Sequence, residues 1–145
     1  MTRRVLRTLP NLAEQPGQVL LCEDSDELRM LLVRRLTKHG GLEVVGEVAS
    51  GEAALEAVVQ LRPDALLLDL LIGDTDPDEM LQALAAIDAR PLVIVFSGLA
   101  PEALAPESRP VVDLHLDKST PLRTVAELVA EAIASQHAGD GPDRR

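Results

Sequence analysis

Aromatic residues are almost missing from this chain. Phe96 is the only one, and there is no Trp or Tyr. Its core must therefore be built from Leu, Val, Ile and Ala, a composition that suits parallel sheets covered by helices. Cysteine is equally scarce. The single Cys22 excludes an internal disulfide and fits a reducing cytoplasm. No apolar run reaches membrane-spanning length. Arg3, Arg4 and Arg7 are not followed by the apolar segment of a signal peptide. Basic residues are outnumbered, with 14 Lys and Arg against 24 Asp and Glu and a formal net charge of −10. A protein of that sign repels phosphate backbones, which speaks against direct nucleic-acid binding. What is present is a 46% hydrophobic content over 145 residues, enough for one sizeable core. A soluble, cytoplasmic, single-domain protein is expected, with no membrane partner.

Residues 1–17 carry scattered charge, Pro10, Pro16 and Gly17, and are expected to be a flexible leader. The stretch QHAGDGPDRR closes the chain with almost nothing to bury, so residues 137–145 are expected to be a disordered tail. Between them, residues 18–136, short apolar runs alternate with longer amphipathic ones. Strands are expected at 18–22 (QVLLC), 42–49 (LEVVGEVA), 65–70 (ALLLDL), 91–97 (PLVIVFS) and 111–116 (VVDLHL). Helices are expected from Ser25 to His39, closed by Gly40-Gly41, from Gly51 to Leu61, from Asp76 to Ile87 and from Pro121 to Ser135. On the first of these, Leu28, Leu31, Leu32, Val33 and Leu36 form the apolar face, and Arg29, Arg34, Arg35 and Lys38 take the other. Strands separated by such helices give repeated βαβ units, hence a parallel sheet with helices on both faces. The alternation calls for a fourth helix between Gly98 and Pro110, but Pro101, Pro106 and Pro110 would break it. That helix is expected to be short or irregular.

In an open parallel sheet, functional groups gather at the carboxyl ends of the strands, where strand order reverses. The first strand ends in Glu23 and Asp24, the third in Asp69, the fourth in Ser97, and the fifth is followed by Lys118. Singly, each has an ordinary reading: Asp24 or Ser25 as a helix cap, Ser97 as a turn residue, Lys118 as a solvated loop charge. Asp69 is harder to dismiss, because a carboxylate inside an apolar strand costs several kcal/mol unless compensated. Together the groups meet the requirements of phosphoryl transfer to a carboxylate. Clustered acids hold a hard divalent cation. A lysine and a hydroxyl neutralise and orient the remaining phosphoryl oxygens, and Asp69 is the natural nucleophile.

That constellation, in that order, resembles the receiver domain of two-component response regulators. VLLCEDSDELRMLLVRRL is similar to the family's opening strand, acidic pair and first helix. LEVVGEVASGEAALEAV is similar to the second strand and helix of receivers from LuxR-type regulators. RPDALLLDLLI resembles the phosphoacceptor strand, and PLVIVFSG and LHLDKS the strands carrying the family's Ser/Thr and Lys. The resemblance implies a flavodoxin-like, doubly wound five-stranded parallel sheet of order 2-1-3-4-5. It implies that Asp69 is phosphorylated by a histidine kinase or phosphotransfer protein. Asp24, Asp69 and the backbone carbonyl of Leu71 would hold Mg2+ (or Mn2+) directly, and Glu23 through water. Ser97 would move to hydrogen-bond the phosphoryl group, Lys118 would pair with it, and His115 stands where receivers place a switching aromatic.

Several departures accompany the match. Gly73 and Pro77 replace the family's usual proline and glycine after the phosphoacceptor, and Asp74, Asp76 and Asp78 make that loop acidic. The charge reads first as a solvated loop and helix N-terminus, with a second cation site the weaker reading. Ser119 stands where proline is usual. Leu71 and Leu99 lie two residues beyond Asp69 and Ser97, at positions that in the family influence access of hydrolytic water, so a long-lived phosphoryl group is expected. His115 also raises a pH-sensitive output, against the plainer reading of a surface histidine. With few residues after the last helix, a stand-alone receiver is expected, acting on an unknown output protein, with homodimerisation left open. The alternatives are the receiver half of a longer DNA-binding regulator and a degenerate receiver that binds without phosphorylation. An independent enzyme such as an aspartyl phosphatase ranks last, because those sites need an acid two residues after the nucleophile, where this chain has Leu71.

Overall fold

The computed structural model describes residues 15–73 and 75–138. Most of the expected leader, Asp74 and the last seven residues of the expected tail lie outside the described residues. The elements alternate as β1 (Gly17–Cys22), α1 (Asp26–Lys38), β2 (Leu42–Val48), α2 (Gly51–Leu61), β3 (Ala65–Leu68), α3 (Pro77–Ala85), β4 (Leu92–Ser97), β5 (Leu114–Asp117) and α4 (Leu122–Ala138). All strand pairs are parallel, in the order β2-β1-β3-β4-β5. This is the expected flavodoxin-like sheet. No helix among the described residues is long and apolar enough to cross a membrane.

The period-2 alternation of each strand divides the core in two. Leu20 and Cys22 of β1, Leu66 and Leu68 of β3, and Val93 and Val95 of β4 pack with Ala54 and Val58 of α2 and Leu81 and Leu84 of α3. Val19, Leu21, Leu67, Ile94 and Phe96 face the other way, against Leu32 and Leu36 of α1 and Val125, Val129 and Ile133 of α4. Both faces of the central strands are thus buried, which is why they read as continuous apolar runs. Each fully buried Leu contributes about 1.5–3 kcal/mol relative to exposure, and the lone aromatic, Phe96, is buried within one of these two layers.

Between β4 and β5 two 3-10 turns, Pro101–Ala103 and Arg109–Val111, stand in place of the fourth helix, as the three prolines require. The segment is nonetheless tied down. Leu104 is buried, the Ala105 amide donates to the Asp78 carboxylate at 2.9 Å, and Arg109 donates to the carbonyls of Leu104 and Glu102.

Four local expectations are corrected. The fifth strand begins at Leu114, because Val111 is buried in a 3-10 turn after Pro110 and not in the ladder. The third strand stops at Leu68, leaving Asp69 and Leu70 in the loop that follows. Gly40-Gly41 does not supply a left-handed cap: α1 closes when the His39 amide donates to the carbonyls of Arg35 and Leu36. The left-handed cap appears instead at Arg62, after α2 (φ 49°). Finally, α4 begins at Leu122, with the Pro121 carbonyl accepting from Val125, and runs to Ala138, past Ser135.

Candidate functional site

The chain runs from β1 to β2 in one direction and then crosses to β3 on the other side of β1. The carboxyl ends of β1 and β3 therefore lie side by side at the point where strand order reverses, the place in such sheets where ligands bind. Two backbone bonds register the loops there: the Asp69 amide donates to the Cys22 carbonyl at 3.1 Å, and the Glu23 amide to Val48 at 3.0 Å.

Out of this edge come Glu23, Asp24 and Asp69, each offering a carboxylate oxygen within 4.8 Å of the others. Glu23 and Asp69 are buried and Asp24 is exposed. Among the described residues this is the only such group of three or more potential metal ligands. Three carboxylates this close repel each other, and an oxygen-only donor set open to water on one side fits a hard divalent cation. Lys118, just past β5, supplies the compensation within the protein. Its Nζ lies 3.0 Å from Asp69 Oδ2 and 3.4 Å from Glu23 Oε1, and 5.5 Å from the centre of the Phe96 ring. Partial burial works against the ammonium, but the hydrogen bond it donates to Asp69 and the charges of Asp69 and Glu23 outweigh it and raise its pKa. Glu23 is held above the ordinary carboxylate range, first by burial and also by the Asp69 charge, against the opposing Ser25 amide and Lys118.

Asp69 is fixed from both sides, by Lys118 at Oδ2 and by the Leu71 amide at Oδ1, 2.9 Å away. Leu71 therefore meets Asp69 through its N–H, and its side chain is 54% exposed. Ser97 is fully buried at the end of β4, and its hydroxyl accepts the Leu99 amide at 3.2 Å. It makes no hydrogen bond to Asp69 or Lys118. His115 is half-buried on β5, and its Nε2 is buried without a hydrogen-bond partner among the described residues. Ser25, not Asp24, caps α1, its hydroxyl accepting from Leu28.

The acidic loop is put to structural use. Asp76 caps α3 by accepting from Asp78, Asp78 anchors Ala105, and Gly73 takes a left-handed turn (φ 48°) that glycine adopts without strain. Ser119 hydrogen-bonds Asp117 through both its amide and hydroxyl, and the peptide before it is trans.

One residue of the site was not singled out by sequence pattern. Arg29 donates to the Glu23 carbonyl at 2.7 Å and pairs with Asp26 at 2.6 Å and Glu47 at 3.4 Å. A helical wheel places it on the polar face with Arg34. The available signal was its spacing, five residues after Asp24 and one turn into the helix, from which side chains point back toward the N-terminus.

Comparison with known proteins agrees with this geometry. The response regulator receiver domain model matches residues 19–129, and the chain belongs to that family, whose members act in two-component signalling. It is 38% identical over 131 residues to protein-glutamate methylesterase/protein-glutamine glutaminase 5 of Myxococcus xanthus, covering 87% of this chain. It spans only 37% of that relative's length. It is 30% identical over 91 residues to chemotaxis protein CheY of Thermotoga maritima, covering 63% of this chain and 75% of that protein. Among solved structures, the response regulator domain of Thermotoga maritima CheB superposes with a TM-score of 0.72 at 25% identity, over 88% of this chain and 100% of that one. The receiver domain of NarL from Mycobacterium tuberculosis shares the fold, with a TM-score of 0.70 at 23% identity over 82% and 97% of the two chains. Receiver domains bind Mg2+ through acidic residues and interact with histidine kinases or phosphotransfer proteins.

Proposed function

We propose that Asp69 is the phosphoacceptor of this receiver and that Glu23, Asp24 and Asp69 hold Mg2+ beside it. The observation that supports this most is the contact of Lys118 with Asp69 at 3.0 Å, within a cluster of three carboxylates. A carboxylate oxygen of Asp69 attacks the phosphorus of a phosphohistidine. The phosphorus–nitrogen bond breaks, its electron pair stays on the imidazole, and an acyl phosphate forms. The bound cation would cancel repulsion between the Asp69 carboxylate and the incoming phosphoryl oxygens. Lys118 and the Leu71 amide hold the Asp69 carboxylate in place for attack. Once the acyl phosphate exists, Lys118 pairs with a phosphoryl oxygen and Ser97 donates its hydroxyl proton to another.

Leu71, two residues after Asp69, supplies neither an acid nor a base for hydrolysis, which supports a switch and not an independent phosphatase. Output passes through protein contacts, and His115 and the segment 98–110, whose Leu99 amide donates to the Ser97 hydroxyl, would report the state of Ser97. The chain's net charge of −10 favours a protein partner over nucleic acid, and its place is the cytoplasm, with the phosphodonor kinase.

Intact-mass spectrometry after incubation with acetyl phosphate tests this reading. One added phosphoryl group is expected with Mg2+, and none with EDTA or in Asp69→Asn. A chain that gains no phosphoryl group and binds no Mg2+ would be a degenerate receiver.

A further inference from the structure

Asp24 is the least restrained member of the acid cluster. Glu23 is held by the Ser25 amide and Lys118, and Asp69 by Lys118 and the Leu71 amide. The Asp24 carboxylate is exposed and accepts no hydrogen bond among the described residues. What aims it is the backbone on either side. Behind it, the Glu23 amide is fixed on Val48, and ahead of it Ser25 caps α1. The remaining freedom is rotation of the Glu23–Asp24 peptide, and the group that stops this rotation is Arg29, through its 2.7 Å bond to the Glu23 carbonyl.

Arg29 is built for this contact. It is the fourth residue of α1, near the positive end of the helix dipole, where a cation gains nothing for helix stability. Its side chain is only 19% exposed and is aligned by two carboxylates, Asp26 on its own helix and Glu47 on β2. These neutralise it close to the acid cluster and fix the direction of its remaining N–H groups, a fork geometry that lysine cannot reproduce.

We propose that Arg29 is a positioning residue for the cation site, locking the Glu23–Asp24 peptide so that the Asp24 carboxylate faces Glu23 and Asp69. The inference rests on the cation site described above. It gives a sign that simple electrostatics does not. Removing a positive charge near three carboxylates should tighten cation binding, whereas losing the backbone lock should weaken it.

The test is Mg2+ titration by calorimetry on the full chain, comparing wild type, Arg29→Ala, Arg29→Lys and Arg34→Ala. Arg34→Ala makes the same charge change on α1, at a residue that lines the shallow depression against Leu122 of α4. The expected result is weakening of about 10-fold in Arg29→Ala, the lower end of what loss of an outer-shell partner does to a metal site, with Arg34→Ala at or slightly above wild-type affinity. Phosphorylation by acetyl phosphate should need about 10-fold more Mg2+ for half-maximal rate in Arg29→Ala and recover at saturating Mg2+, which a general loss of stability would not produce. Should Arg29→Ala not fold, Arg29→Lys decides: it keeps the charge and must still bind Mg2+ more weakly. Wild-type or tighter binding in the Arg29 variants overturns the positioning role while leaving the cation site intact. A wild-type chain that binds no Mg2+ overturns the cation site and the positioning role with it.

Discussion

Lys118 Nζ bridges Asp69 Oδ2 at 3.0 Å and Glu23 Oε1 at 3.4 Å, so one ammonium, carried in from the far strand, balances two buried carboxylates. The sheet order makes this contact. β1 and β3 are neighbours at the point where strand order reverses, and β5 closes the same edge two strands away. The site is thus charge-balanced only in part, with three acids facing one lysine, and the proposed cation would complete it.

Removing that lysine leaves Glu23 and Asp69 buried without their partner. Lys118→Ala is expected to destabilise the protein by about 1–3 kcal/mol in EDTA, the cost of uncompensated buried groups discounted for the partial exposure of the lysine. Saturating Mg2+ should recover part of this loss. Urea unfolding with and without Mg2+ measures both, and an equal loss in the two conditions would contradict the shared role of lysine and cation.

Glu23 gives a pH dependence. Its carboxyl is raised above 4.5, chiefly by burial. Only between 4.5 and the folded-state value does the folded state keep a proton there that the unfolded chain has released. The contribution favours folding fully below 4.5 and is lost as pH rises through the folded-state value. In EDTA, Glu23→Gln should therefore melt higher than wild type at pH 7, and the difference should shrink as pH falls toward 4.5. Tm against pH for the two proteins checks this, and a pH-independent difference would contradict it.

Cys22 should be inert. Burial, and then the charges of Glu23, Asp69 and Asp24, push its thiol up to about 12, and its Sγ faces the Ser50 carbonyl. A thiol held that high carries almost no thiolate at pH 8. Ellman's reagent should react promptly only after denaturation; prompt reaction of the native protein would mean the end of β1 opens readily.

Leu71 contacts the Asp69 carboxylate through its amide and carries an exposed apolar side chain. Exchange for Asn places a group there that can orient water. Leu71→Asn is expected to speed loss of the phosphoryl group on the order of tenfold, equivalent to about 1.4 kcal/mol of barrier. The decay of the phosphorylated mass after removal of acetyl phosphate measures it, and an unchanged lifetime would remove Leu71 from control of hydrolysis.

The sheet was legible because both faces of β1, β3 and β4 are buried, which leaves uninterrupted apolar runs in the sequence. The site was legible for a related reason: Glu23, Asp24, Asp69 and Ser97 are polar groups standing at the ends of such runs. Arg29 was not, since periodicity sorts residues by the side of the helix they occupy and does not register a long side chain that turns back to the preceding loop. The start of β5 was misplaced because Val111 is buried by a 3-10 turn, and apolar burial does not require a strand. The glycine pair after α1 misled in the same way, since His39 closes the helix in an extended conformation and Arg62 takes the left-handed cap without glycine. Propensity names the residue that fits a turn most easily, and tertiary packing decides which residue makes it.

The most direct measurement locates the phosphoryl group. Borohydride reduces an aspartyl phosphate to homoserine, so the chain is phosphorylated with acetyl phosphate and Mg2+, reduced, digested and sequenced by mass spectrometry. Homoserine at position 69 alone, absent when Mg2+ is omitted, is the result expected of a phosphoacceptor held by Lys118 and its three-carboxylate site. Homoserine at Asp24 or elsewhere, or none in a chain that has gained phosphate, would contradict the assignment of Asp69.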